Sequence, residues 1–342
     1  MSMLLASDLH LTDSFKDSYR WSLIPYLQSL VIEHQVSQVI FLGDSTDQKD
    51  RHSSILVNGF VKQITDLSNY CDVFILKGNH DGIIEDLPYF NFIEHFKSNV
   101  TFISTITNYW LSLPTKQKSI NCLFLPSTRK WQEDWKDVDF NQYDLIFTHQ
   151  TYDGAKSETG ISLEGIPPTL FANYNGKVYS GDVHVPQKLL SGRIEYVGAP
   201  YRIRFGDVFP PRVLLIGDNL RTRNFTFDCL SKHVLVCTSI ETLAEEAERN
   251  KVKTNDQVKV RVRLTRQDLP TWKNLKEQIK HKAAEEGWQL FGPELLPIND
   301  APVSVLKQAT VYKDSRQVLA DFIHAKNLSG KQAEIGFSLI NS

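Results

Sequence analysis

A chain of 342 residues with 41% hydrophobic content is long enough for more than one domain and for a sizeable core. Its formal charge of −2 excludes a bulk polycation, so any affinity for nucleic acid must come from local patches. The four cysteines, Cys71, Cys122, Cys229 and Cys237, show no C-x-x-C spacing and give no sign of a disulfide framework, which makes the cytoplasm the expected compartment. Met1 to Ala6 runs straight into a polar motif, leaving no room for a signal peptide, and no apolar run approaches a membrane span.

In chain order, the apolar run Met3 to Ala6 reads as a buried strand that delivers Asp8-Leu9-His10 just beyond its end. A helical pattern over roughly Tyr19 to Glu33 follows, then a strand over Val39 to Leu42 ending on Gly43-Asp44. A helix over Ser54 to Leu67 leads to a third strand, Val73 to Leu76, which ends on Gly78-Asn79-His80-Asp81, and another helical pattern spans Leu87 to Phe96. This strand and helix alternation is that of an open α/β sheet, whose ligand crevice lies outside the carboxyl ends of its strands.

From Val100 the pattern turns strand-rich: Val100 to Ile103, Tyr109 to Leu113, Ile120 to Leu125, Leu145 to Phe147, Lys177 to Ser180, Arg193 to Val197 and Arg212 to Ile216. The series predicts a second sheet packed on the first. Two of these strands end on further polar motifs, His149 and Gly181-Asp182-Val183-His184. A glycine- and proline-punctuated loop from Tyr152 to Gly176 follows His149, where it would border the same crevice.

Asp, Asn and His at five strand ends give mixed oxygen and nitrogen ligation without thiolate, which favours Mn²⁺, Mg²⁺, Fe²⁺ or Zn²⁺. A carboxylate such as Asp44 can bridge two cations, and two ions roughly 3.5–4 Å apart can bind a phosphate and activate an in-line water. A single D-x-H or G-D carries no weight; five such stretches in order, each after a strand-like run, point to phosphoester hydrolysis.

The ordered set resembles the calcineurin-like metallophosphoesterases, whose signature is D-x-H, G-D, G-N-H-[DE], a lone His and G-H-x-H. The resemblance implies a four-layer α/β/β/α sandwich with two divalent ions, Mn²⁺ expected and Mg²⁺ the alternative. It gives Asp8, His10, Asp44 and His184 to one metal and Asp44, Asn79, His149 and position 182 to the other. His80 is then the non-ligand general acid beside the phosphate, with Asp81 orienting its ring. One position departs: Asp182 stands where the family has His, either as a hard carboxylate ligand or as an outer group beside a weakened second site.

Downstream, Gly181 to Gln187, Ile194 to Arg202 and Phe205 to Asp207 resemble the SbcD-type exonuclease subunits of double-strand break repair and their phage-encoded relatives. That likeness covers about residues 1–230. It implies a DNA exonuclease and endonuclease acting in recombination, repair or replication, in the host cytoplasm if phage-encoded. It also implies a homodimer and an SbcC-like SMC-type ATPase partner. Arg202 and Arg204 are the expected DNA-backbone contacts, against ordinary surface charge as the alternative.

A new cycle of elements begins near residue 230: a strand over Val234 to Cys237, a helix over Ile240 to Glu248, an alternating strand over Val258 to Leu264 and a helix over Trp272 to Glu286 stopped by Gly287. It predicts a smaller α/β domain over 231–310, which the resemblance to SbcD-type subunits implies is a DNA-capping domain, with Lys259, Arg261 and Arg263 on one strand face, either contacting phosphates or solvated. Apolar clusters over 311–342 read as a helical segment that closes this domain or docks on a partner. The other functional readings are a small-molecule phosphodiesterase or protein phosphatase with the same metals, and a DNA-end-binding scaffold disabled by Asp182.

Overall fold

The computed structural model describes residues 2–84, 87–95, 99–113 and 118–296. The segment 311–342 and the end of the 231–310 region lie outside the described residues.

The first sheet is built from β1 (Ser2–Ala6), β2 (Val36–Phe41), β3 (Asp72–Leu76) and β4 (Val100–Ile103), all parallel, with α1 (Leu23–His34) and α2 (Ser54–Leu67) as crossovers. Its strands are apolar on both faces, as a sheet covered on both sides requires. Leu4, Ala6, Val39, Phe41, Val73 and Ile75 pack against the helices. Met3, Leu5, Ile40, Leu42, Phe74 and Leu76 face the other way, onto Phe124, Phe147 and Tyr179 of the second sheet.

That second sheet runs β5 (Thr107–Leu113), β6 (Lys118–Leu125), β7 (Leu145–His149), β8 (Lys177–Gly181), β10 (Ile194–Tyr196) and β9 (Gln187–Leu189) in spatial order. The two sheets therefore pack face to face, and the mixed α/β sandwich is the architecture the sequence predicts. Its outer layer on the second sheet is thin. A one-turn helix, α3 (Trp131–Asp134), and short 3₁₀ turns bring Trp135, Phe140, Phe171 and Tyr174 onto Leu123, Ile146 and Val178.

Two strands expected in the second sheet belong to the first. β4 extends it beside β3, and β11 (Val213–Ile216) pairs antiparallel with β1, Met3 opposite Ile216, with β12 (Thr222–Phe225) outside it. Strand pairing is a long-range choice that an apolar run does not encode. The helical pattern at Tyr19 begins as a 3₁₀ segment, Phe15–Ser22, before α1, and the pattern at Leu87 to Phe96 is 3₁₀ over Tyr89–His95.

A third, parallel sheet joins β13 (Lys232–Cys237), β14 (Gln257–Val262) and β15 (Gln289–Leu295), with α4 (Ile240–Arg249) and α5 (Trp272–Glu285) packed on one face. The alternation of β14 divides its side chains cleanly. Val258, Val260 and Val262 are fully buried against the helices, and Lys259 and Arg261 turn to the opposite face. There Lys259 pairs with Glu294 at 2.9 Å. No helix among the described residues is long and apolar enough to cross a membrane.

Phe60 of α2 is fully buried with its ring 4.8 Å from that of Phe90, whereas Phe15 is 91% exposed. Phe60→Ala should lower unfolding free energy by about 3–5 kcal/mol and Phe15→Ala by less than about 0.5 kcal/mol, read from urea transitions.

Candidate active site

The five polar motifs leave the carboxyl ends of β1, β2, β3, β7 and β8, three strands from one sheet and two from the other, so the site spans the top of the sandwich. At these ends the backbone turns sharply. Asp8, His10, Asp44 and Asp182 adopt φ of 55°, 43°, 53° and 79°, a region that short polar side chains tolerate and His adopts at a cost. Gly43 turns with φ of 89° where a Cβ would run into the His149 ring.

Asp44 lies at the centre. Its Oδ2 is 3.6 Å from His10 Nε2 and its Oδ1 is 3.3 Å from His149 Nε2. The remaining groups fall on either side. Asp8, His10 and His184 offer ligand atoms within 4.8 Å of one another, as do Asp8, Asp44 and His149, and His10, Asp44 and His80. Asn79 and Asp182 stand beside His149, with Asp182 Oδ1 3.7 Å from its Nε2.

The imidazoles are all turned the same way. His149 Nδ1 donates to the Leu42 carbonyl at 2.6 Å, which fixes the proton on Nδ1 and directs the Nε2 lone pair inward, where this fully buried atom has no hydrogen-bond partner. Nδ1 of His10 lies 3.2 Å from Asp47 Oδ1, and Nδ1 of His184 lies 2.6 Å from Glu158 Oε1. Their Nε2 atoms consequently face each other at 3.3 Å. Two nitrogen lone pairs at that distance, beside carboxylates and an orphaned third nitrogen, form a donor set suited to divalent cations.

Electrostatics agree. Burial would raise the Asp44 pKa, but the positive charge that His149 can carry beside it, with His10 and His80 adding, holds it well below the usual carboxylate range. Burial would lower His149, and Asp44 more than reverses that. The Glu158 carboxyl is drawn down to about 2 by its hydrogen bond with His184.

Asp81 does a different job from the one expected. Its carboxylate accepts from the backbone N–H groups of Gly78 at 2.6 Å and of Asp44 and Ser45 at 3.2 Å, tying the β3 loop to the β2 loop. The His80 ring is oriented instead by Asp47, whose carbonyl accepts from Nδ1 at 2.8 Å. Burial and the neighbouring Asp44 charge push Asp81 up to about 6.

Asp182 is held by both oxygens, Oδ1 accepting from Asn79 Nδ2 at 3.0 Å and Oδ2 from the Thr151 hydroxyl. Since the Asn79 amide nitrogen is committed there, its oxygen is the atom left to face a cation. Of the two arginines expected at the DNA backbone, Arg204 is exposed and its charge acts on Glu158. Arg202 instead donates to the Lys232 carbonyl at 3.4 Å, bracing the third sheet.

Sequence reasoning missed Glu158, Thr151 and Arg20. Glu158 lies in the loop expected to border the site, but a lone Glu among loop residues carries no spacing signal. Arg20 is buried; it donates to the His10 carbonyl at 2.5 Å and pairs with Asp17 at 2.9 Å, and Lys232 Nζ reaches the same Asp17 at 3.1 Å.

Residues 1–186 match the sequence profile of the calcineurin-like phosphoesterases. The chain belongs to that family. Members of this fold use a dinuclear metal site, and the clusters around Asp44 are the groups available for it here. Among curated proteins, none matches the chain in sequence. Solved structures similar to this phosphoesterase include GAP50, the anchor in the inner membrane complex of Plasmodium, at 10% identity and a TM-score of 0.43, covering 68% of this chain and 90% of that one. Nuclease MPE of Pseudomonas putida aligns at 14% identity and a TM-score of 0.31, over 65% of this chain and 87% of its own. A dimetal phosphatase from Danio rerio aligns at 11% identity and a TM-score of 0.31, over 67% of this chain and 99% of its own.

Removing the carboxylate behind a metal-binding His typically weakens metal affinity about 10–100-fold. Glu158→Ala should do so at the site that uses His184, read as a raised Kd in Mn²⁺ titration calorimetry, with unfolding midpoint little changed.

Proposed function

We propose that this phosphoesterase is a metal-dependent DNA nuclease, cutting phosphodiesters with two divalent ions, Mn²⁺ by preference, as a subunit served by an SbcC-like ATPase. The observation that carries the choice of DNA is the third sheet, which follows the matched family region and is braced beside the site. Lys232 Nζ bonds the Ile203 carbonyl at 2.9 Å as well as Asp17, and Phe291 packs on Phe205 with ring centroids 4.8 Å apart. A hydrolase of small esters needs no such attachment. The likeness of Gly181 to Gln187 and Ile194 to Arg202 to SbcD-type subunits supports the same reading.

The residues divide the work. Asp8, His10 and His184 would hold one ion, Asn79 and His149 the other with Asp182 alongside, and Asp44 both. When bound, the ions neutralise phosphate charge and make water nucleophilic near neutral pH. His80 does the proton chemistry. With Nδ1–H committed to the Asp47 carbonyl, only Nε2 is left to give a proton to the leaving oxygen, and its half-buried ring, 4.9 Å from that of His10, places it at the rim of the cluster. The His80 backbone N–H also donates to Asp44 Oδ1 at 2.8 Å, so the acid and the shared carboxylate are held as one unit. Arg204, exposed and with its charge acting on Glu158, would meet the incoming strand's phosphates.

The test is hydrolysis of end-labelled linear DNA and of bis(p-nitrophenyl) phosphate with Mn²⁺, with chelator, and with His80→Ala. DNA cleavage that needs Mn²⁺ and falls about 10²–10⁴-fold in the variant is expected. Turnover of the small ester with DNA untouched, even after addition of an SbcC-like ATPase, would favour a small-substrate phosphodiesterase. DNA binding with no turnover of either would favour a scaffold.

A further inference from the structure

Beside Asn79 and Asp182 opens a cavity of about 750 Å³, on the side of the site away from His10 and His184. Its size is that of a pocket for a small molecule, within the roughly 300–1,000 Å³ such pockets occupy, and far too small for a double helix. Among the described residues, the ionisable side chains along it are Lys49, Lys77 and Arg129, with Asp182 at the metal edge.

Its apolar lining has a particular form. Trp131, half-buried, lends its indole to the lining, and Ile83 and Ile84, which also line it, are 66% and 61% exposed although both are large and apolar. Trp131 belongs to α3, whose only turn is pinned to the second sheet by the fully packed Trp135, so the indole rides on a fixed platform. The hydroxyls of Ser127 and Thr151 add polar groups along the wall.

A cationic wall, a flat aromatic surface and a phosphate-hydrolysing centre at one end match a ligand that is part anion and part flat ring. Resting on the nuclease reading above, the geometry points to this cavity as a subsite for an unpaired nucleobase of the strand being cut. Trp131 is its stacking face, and Lys49, Lys77 and Arg129 meet the phosphate next to the scissile one. Stacking on indole is tolerant of base identity, so the subsite selects for an unpaired end over a paired one rather than for a sequence. A strand held this way must be splayed from its complement before it is cut.

The test uses the full-length, Mn²⁺-loaded protein hydrolysing bis(p-nitrophenyl) phosphate, with thymidine 5′-monophosphate and 2-deoxyribose 5-phosphate as competing inhibitors. Both carry the same phosphate, so only the base differs. The nucleotide should inhibit at about tenfold lower concentration or better, and Trp131→Ala should erase that difference. Equal inhibition by the two in the wild-type protein would overturn the subsite, as would a preference that survives in Trp131→Ala. If neither the ester nor linear DNA is hydrolysed, the nuclease reading fails by itself. The subsite is then decided by calorimetric binding of the same two probes to the metal-loaded protein, equal affinities overturning it.

Discussion

The structure is organised around one buried carboxylate. Asp44 is almost wholly removed from water, and an anion there is costly unless positive charge lies against it. His10 and His149 approach its two oxygens from the ends of different sheets, β1 in the first and β7 in the second. That juxtaposition exists only if the two sheets stack with their carboxyl ends aligned, so the sandwich and the site are a single solution. The intersheet contacts of Leu5, Leu42 and Phe147 fix the alignment, and the polar cluster sits where those apolar side chains end.

Around that centre the protein spends many hydrogen bonds on holding backbone rather than on chemistry. Asp81 gathers three N–H groups from two loops, and Arg20 and the Tyr201 hydroxyl hold the carbonyls of His10 and Leu9. Such clamps are what four left-handed residues in three loops demand, since each would relax if its neighbours allowed it. Arg20 also shares Asp17 with Lys232, so the loop that carries His10 and the first strand of the third sheet are tied through one buried ion cluster.

Much of this was legible in the sequence because the relevant signals are local. Apolar runs followed by polar motifs placed all five loops at strand ends, Ser54–Leu67 is helical over the residues its periodicity marks, and the alternation of Val258, Val260 and Val262 reported the buried face of β14. What was not legible is pairing and packing. The return of β11 to the first sheet depends on its match to β1, and the expected role of Asp81 failed because a carboxylate next to His80 in sequence points to backbone N–H groups instead. Glu158 reaches His184 only through the path of a long loop. The strands β9, β12 and β15 escaped because they are short, polar or interrupted by Gly292 and Pro293.

If Asp44 is the shared ligand that organises the site, its loss must cost both ions and not one. The decisive measurement is the number of Mn²⁺ bound per chain, by calorimetry with metal analysis, for the wild-type protein and for Asp44→Ala after both are verified as folded. Two ions in the wild type and essentially none retained at micromolar Mn²⁺ in the variant is the outcome expected. Two ions still bound in Asp44→Ala, with unchanged affinity, would contradict the central place given to this carboxylate.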